Sequence, residues 1–309
     1  MEKKLSDTYI RVQTFLVNKD FEGSRLDNCL ISLISGIPHS RIYSMIRRGE
    51  VRVNSSRSKP DRRLKINDVI RIPPYKVSER KTTKPSQLLI KLIKENIVYN
   101  QDHVLVINKP EGLASHGGSG LKLGLIEAVR QSDSSFKNAQ LVHRLDKDTS
   151  GCIVLALKRS ILRSLNKELR EGRVEKKYLA VVNGIWPEGN KTITTNLKKN
   201  ILRSGEREVK ISEDGKKSVS HFKLLKKTNK LSLVECELIT GRMHQIRVQT
   251  SYEGHAIIGD KKYGDDKINK IYQKKGIKRM LLHSKSISFP EFGLFFSCNE
   301  PAIFKKILN

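Results

Sequence analysis

Apolar positions in this chain follow two periods, and the change from one to the other divides it. Leu26, Leu30, Leu33 and Ile34, then Ile42, Met45 and Ile46, recur three and four residues apart, which predicts two short amphipathic helices. Ser24 is the expected cap of the first, which should end near Gly36. Ser40, after Pro38, is the expected cap of a second helix running through Arg48 and stopped by Gly49, with Arg41, Arg47 and Arg48 on its polar side. A β-like Val51-Arg52-Val53-Asn54 follows. After a turn-rich basic stretch, Leu64–Ile72 reads as another short strand bounded by Pro73-Pro74.

Residues 75 to about 97 begin polar and without sustained period, as a linker would, although Leu88–Ile93 within them suits a short docking helix. From Ile97 onward short alternating runs are interrupted by two clear helices. One covers roughly residues 160–171 and stops at Gly172; the other is entered through Thr240–Arg247 and continues towards Tyr252. This order predicts an α+β fold on a mixed, largely antiparallel sheet. The expected division is a small domain at 20–80, a linker at 81–97 and a larger domain at 98–309, with no internal repeat.

Composition narrows the partners. The chain has 309 residues with 60 Lys and Arg against 32 Asp and Glu, a formal charge of +28, which points to a polyanion. Nucleic acid is favoured over a membrane surface, because the basic residues run through the whole sequence and no apolar segment is long enough to span a bilayer. Lysine-rich usage can also reflect genomic base bias, which lowers the weight of charge alone. Between residues 41 and 80 there are twelve Lys or Arg and four Asp or Glu, the footprint expected of phosphate contacts, although a solvated helix face would read similarly. Cys29, Cys152, Cys236 and Cys298 lack partners at metal-ligand spacing, so no zinc site is expected. Reduced thiols, and a first segment without an apolar signal core, lead us to expect a cytoplasmic protein.

Chemistry concentrates in His143–Gly151, a loop that feeds the apolar run Cys152–Leu157 and carries Asp146 between Arg144 and Lys147. A lone Arg-Leu-Asp could equally be a surface turn. The longer string His-Arg-Leu-Asp-Lys-Asp-Thr-Ser-Gly resembles the signature of the pseudouridine synthase family typified by RluA. Three further stretches support the resemblance: Glu175-Lys176-Lys177-Tyr178-Leu179-Ala180, Thr240-Gly241-Arg242-Met243-His244-Gln245-Ile246-Arg247, and Val104–Gly112 with its Lys109-Pro110-Glu111-Gly112 turn. His116-Gly117-Gly118-Ser119-Gly120 resembles a loop of one branch; without a following Gly-Lys-Ser/Thr it is a shaped turn rather than a nucleotide cradle.

The resemblance implies that Asp146 is the catalytic residue, that Arg247 pairs with it, and that Tyr178 lies against the target base. By pattern alone Tyr178 would be an ordinary core strand residue. It further implies that Arg144 fills the stack vacated by a flipped nucleotide, while His143 supports the loop. An Asp suffices as nucleophile or as base, so no cofactor is expected. The helices and strands of the first domain resemble the S4 RNA-binding domain, with Arg41, Arg47 and Arg48 as RNA contacts. Large-subunit ribosomal RNA is the expected partner, with no membrane and a monomeric enzyme. Another RNA substrate, or a non-catalytic RNA-binding assembly factor, remain as alternatives. Two departures, Val248-Gln249 where the family usually has Val-His and Gly254-His255-Ala256 for Gly-His-Pro, bear on helix packing near residue 248 and not on the Asp, Tyr or Arg positions.

Overall fold

The structure, a computed structural model, describes residues 8–34, 36–77, 83–118, 123–201 and 207–308. It forms two compact units, residues 1–83 and 84–309. In the first, β1 (Thr8–Ile10), β2 (Gln13–Leu16), α1 (Leu26–Leu33), α2 (His39–Arg47), β3 (Arg52–Val53), β4 (Val69–Ile72) and β5 (Tyr75–Val77) follow in order. The helical apolar positions Leu26, Leu30, Ile42, Met45 and Ile46 pack with Val53, Ile70 and Ile72 in one core. Strands β2, β4 and β3 make a three-stranded sheet, and β1 pairs with β5.

Local chemistry departs from the sequence reading in three places. Neither expected serine caps its helix: the first residue before α1 is Arg25 and before α2 is Pro38, and neither cap position accepts a side-chain hydrogen bond. Asp27 anchors the start of α1 instead, buried and accepting from Arg25 Nη2 at 2.7 Å and Tyr43 Oη at 3.0 Å. The strand expected from Leu64 starts only at Val69. Asn67 takes a φ of +66°, and the Asp68 carboxylate accepts from Lys65 N at 2.9 Å and Asn54 Nδ2 at 2.7 Å. Side-chain acceptors thus satisfy the backbone in place of a ladder.

The second unit contains α3 (Gln87–Glu95), β6 (Ile97–Gln101), β7 (Val104–Lys109), α4 (Leu125–Ser132), β8 (Gln140–Leu141), β9 (Ser150–Ala156), α5 (Arg159–Glu171), β10 (Glu175–Asn183), β11 (Asn190–Ile201), β12 (Arg207–Ile211), β13 (Lys216–Lys227), β14 (Leu231–Leu238), α6 (Gln245–Tyr252), α7 (Asp266–Lys274), β15 (Leu282–Phe289), β16 (Leu294–Ser297) and α8 (Ile303–Lys306). Helix α3 falls inside the stretch expected as a linker. Ser86 caps it, accepting from Leu89 N, and Ile93 is fully buried against the unit's main core. Residues 81 and 82 of that stretch lie outside the described residues.

The described strands of this unit form one mixed sheet, in order β12-β11-β13-β14-β10-β15-β9-β7-β6, with β16 beside β15 and β8 beside β9. Every pairing is antiparallel except β9 with β15. Helices cover both faces of the sheet centre, which is why β9 is buried at every position and reads as an unbroken apolar run. Tyr178, Ala180 and Val182 of β10 join Leu105, Ile107, Ile153 and Leu155 on one face. Leu179 and Val181 face the other, beneath Tyr272 and Phe304.

The parallel junction lies at the base of the Asp146 loop. His283 pairs with Ser150 and Ser284 with Gly151. Gly151 has a φ of +111°, and a Cβ there would come within 2.2 Å of the Ser284 carbonyl oxygen. Two backbones can approach so closely only where one residue lacks a side chain and tolerates positive φ. Gly151→Ala is therefore expected to lower stability by more than about 1 kcal/mol. Denaturant unfolding of the purified variant measures this, with a reduced midpoint as the expected result.

Candidate active site

Asp146 sits in the loop between β8 and β9, and its backbone is held on both sides. Ser115 Oγ donates to the Leu145 carbonyl at 2.7 Å and accepts the Leu145 N–H at 3.0 Å. The Leu145 side chain is buried in the main core. On the far side, Lys109 Nζ donates to the Lys147 carbonyl at 3.0 Å and to the carbonyls of Pro110 and Leu113, both at 2.8 Å. Lys109 is fully buried, and burial pushes its ammonium down to about 7. Three carbonyl acceptors match the three N–H donors of the protonated form. Thr149 N closes the loop by donating to the Asp146 carbonyl at 3.2 Å.

Helix α6 brings the opposing cation. Arg247 Nη1 donates to Asp146 Oδ2 at 3.0 Å, while Nε and Nη2 form a fork on Asp260, at 2.7 Å to Oδ2 and 2.8 Å to Oδ1. The planar guanidinium is thus aimed by one buried carboxylate at another. Burial opposes ionisation of Asp260, but the hydrogen bonds and charge of Arg247 outweigh it and hold the carboxyl below its usual range. Asp260 is fixed in turn: its Oδ1 accepts from Lys262 N at 2.9 Å and Tyr263 N at 3.1 Å. Gly259, with a φ of +81°, leaves room for the Arg279 carbonyl, which a Cβ would meet at 1.9 Å.

His244 takes the left-handed conformation, φ +53°, immediately before α6. Its Nδ1 lies 2.8 Å from Tyr263 Oη, and its Nε2 3.6 Å from Asp146 Oδ2. Burial holds the imidazole below its usual pKa, against the pull of Asp146. Tyr263 also accepts from Val209 N at 2.9 Å and places its ring under the Arg247 guanidinium, 5.0 Å away. Both neighbours of the Asp146 carboxylate address Oδ2. Oδ1 receives no protein hydrogen bond among the described residues, and the side chain is 29% exposed. This is a carboxylate held by one oxygen and open at the other.

Tyr178, on β10, is buried, and burial raises its phenol well above the usual range, with the Asp146 charge adding to the effect. Arg144 is exposed in the Asp146 loop, with no hydrogen bond or ion pair among the described residues. His143 Nε2 accepts from Val154 N at 3.1 Å, and burial lowers its pKa to about 4, so it is a neutral acceptor. The structure therefore gathers Asp146, Arg247 and the Tyr178 phenol. Arg41, Arg47 and Arg48 lie in the first unit, where Arg41 Nη2 donates to Glu50 at 2.9 Å, Arg48 lies 3.9 Å from it, and Arg47 is exposed.

Sequence reading missed Asp260 and Tyr263. The available signal was Gly259-Asp260-Lys261-Lys262-Tyr263-Gly264, an Asp between glycine punctuation that suits a turn carboxylate accepting two backbone N–H groups. Gln249, at the departure from the family pattern, is fully buried and satisfied: Nε2 donates to Thr195 Oγ1 at 3.1 Å and Oε1 accepts from Ser220 Oγ at 2.7 Å. Residues 119–121 of the glycine-rich loop lie outside the described residues, as do 202–206.

Residues 103–252 match the RNA pseudouridylate synthase family. The chain is 44% identical over 304 residues to "Ribosomal large subunit pseudouridine synthase C" of Pasteurella multocida (strain Pm70), covering 96% of this chain and 93% of that protein. The Escherichia coli (strain K12) protein of the same name is 44% identical over 286 residues, 91% of this chain and 90% of its own length. Among solved structures, "Human RNA Pseudouridylate Synthase Domain Containing 4" superposes with a TM-score of 0.59 at 25% identity, over 71% of this chain and 93% of that one. "Human RNA Pseudouridylate Synthase Domain Containing 1" does so with a TM-score of 0.59 at 26% identity, over 74% and 89%.

Asp260→Ala would leave a buried guanidinium with one partly exposed counter-ion. We expect a loss of roughly 3–5 kcal/mol of stability and a larger fall in turnover than in RNA affinity, read from thermal unfolding and initial rates. Because the Asp260 carboxyl is held below 3.8, its contribution to stability is full above pH ~4 and is lost as the pH falls further. An acid titration of the wild type and Asp260→Ala should show their stability difference shrinking in that direction.

Proposed function

The chain belongs to the RNA pseudouridylate synthase family, and from that membership we propose that it isomerises selected uridines of large-subunit ribosomal RNA to pseudouridine in the cytoplasm, as a monomer and without a cofactor. The observation that carries this reading is the Asp146 carboxylate, fixed through Oδ2 by Arg247 at 3.0 Å with Oδ1 open. Isomerisation breaks the N1–C1′ bond, turns the freed uracil and joins C5 to C1′, while C5 loses its proton to solvent and N1 takes one up. A carboxylate oxygen free of protein donors serves as nucleophile at the sugar or at C6 of the base, or as base at C2′. Each route uses Oδ1, and all need the aim that Arg247 supplies.

Tyr178, kept protonated by burial, offers a neutral aromatic face for the base. Arg144, exposed and uncommitted beside Asp146, is the wedge for the vacated stack. The first unit supplies general RNA affinity as an S4-like domain. Its exposed Arg47 is a better phosphate contact than Arg41, whose charge is already shared with Glu50.

Release of tritium from C5-labelled uridine in large-subunit and transfer RNA transcripts tests the activity and the substrate together. Wild type should release it from large-subunit RNA, and Asp146→Asn should fold, bind that RNA and lose at least roughly 10²–10⁴-fold of the rate. Product from transfer RNA alone would reassign the substrate; binding without release by the wild type would leave an RNA-binding factor. In the first unit, Arg47→Ala is expected to make the plot of log affinity against log salt shallower by roughly 0.7–0.9 units. Arg41→Ala should change it less.

A further inference from the structure

Apart from the exposed Arg144 and Lys147 of the Asp146 loop, the buried and half-buried cations around the site are almost all committed. Lys109 serves three carbonyls, Arg247 serves two carboxylates, and Arg279 pairs with Glu111 and donates to Ser150 Oγ at 2.7 Å. Lys176, two residues before Tyr178 on β10, is different. It is half-buried, yet its ammonium has no hydrogen bond and no ion pair among the described residues. Burial lowers its pKa, with no carboxylate acting against that effect. Trp186 Nε1 is the one enclosed side-chain polar atom without a partner among the described residues, so the Lys176 ammonium reaches solvent.

Its surroundings place it at the site's margin. Nζ lies 3.7 Å from where a Cβ on Gly241 would stand, three residues before His244. It is close enough to His143, three residues before Asp146, to depress that imidazole's pKa. Lys176 therefore neighbours each segment that contributes to the site: the Asp146 loop, the start of α6 and the Tyr178 strand. A half-desolvated cation with no counter-ion is unfavourable in the free protein, and a charged ligand entering beside it would relieve that cost. Lysine acts as a compact point charge suited to a phosphate oxygen.

We propose that Lys176 binds a backbone phosphate of the RNA next to the uridine held between Asp146 and Tyr178, so that it sets the position of the strand entering the site. This rests on the proposed RNA substrate and adds a contact to it. Phosphate contacts of this kind fix register and leave sequence choice to other groups.

The test compares wild type, Lys176→Met and Lys176→Arg for binding to a large-subunit RNA transcript over a range of KCl, with thermal unfolding alongside. Lys176→Met should make the log–log salt slope shallower by about 0.7 units, the value for one contact to single-stranded RNA. It should melt no lower than wild type, because a poorly solvated charge is replaced by an apolar chain of similar length. Lys176→Arg should keep the wild-type slope. A Met variant with an unchanged slope would overturn the proposal, and one that also melts lower would mark Lys176 as a packing residue. Failure of the substrate assignment is a separate signal: wild type would then bind the transcript but release no C5 tritium from it.

Discussion

One guanidinium holds the site together. Arg247 divides its donors between Asp260, buried and paired through two oxygens, and Asp146, partly exposed and held through one. The asymmetry decides what each carboxylate does. Both oxygens of Asp260 accept from Arg247, and Oδ1 also accepts two backbone N–H groups, so its charge orients the cation. The singly held Asp146 keeps one oxygen without a protein donor among the described residues. Such an arrangement needs a rigid support, because a shift of about 1 Å in a reacting group is costly. That support comes from the backbone on either side of Asp146, through Ser115 and Lys109.

The sheet explains why these supports converge. Lys109 ends β7, Ser150 begins β9 and Tyr178 lies on β10, so the chemistry gathers at one end of neighbouring central strands whose middles are the unit's core. Polar groups survive there because each is matched. The Gln249 and Gln245 amides beneath α6, for instance, are bonded to Ser220, Thr195 and Thr240. Helix α6 is consequently pinned by side-chain amides as well as by apolar packing, which limits how far Arg247 can drift.

Much of this was legible in the sequence for particular reasons. Asp146 and Arg247 were chosen from separate motifs 101 positions apart and meet at 3.0 Å; the helical period of Ile42, Met45 and Ile46 gave their burial. Asp260 and Tyr263 were not legible, since a glycine-flanked Asp in a turn looks the same whether it faces water or a guanidinium. The expected Ser24 cap failed because Asp27 and its partners Arg25 and Tyr43 organise the start of α1 through contacts that no local pattern reports. The strand expected from Leu64 was shortened by Asp68, whose carboxylate competes for the same backbone groups. In both cases a side-chain acceptor displaced a regular element.

The parallel pairing of β9 with β15 has a consequence for the order in which the protein is made. The Ser150 hydroxyl meets His283 across 133 positions of sequence, at 2.9 Å, and Ser284 lies against Gly151 at the foot of the Asp146 loop. Contacts over such separations form late, after the shorter loops of the sheet have closed. On a translating ribosome the carboxylate loop would leave the exit tunnel long before the strand that braces it. A nascent chain would therefore carry the first, basic unit complete while its second unit still lacked the floor of the site.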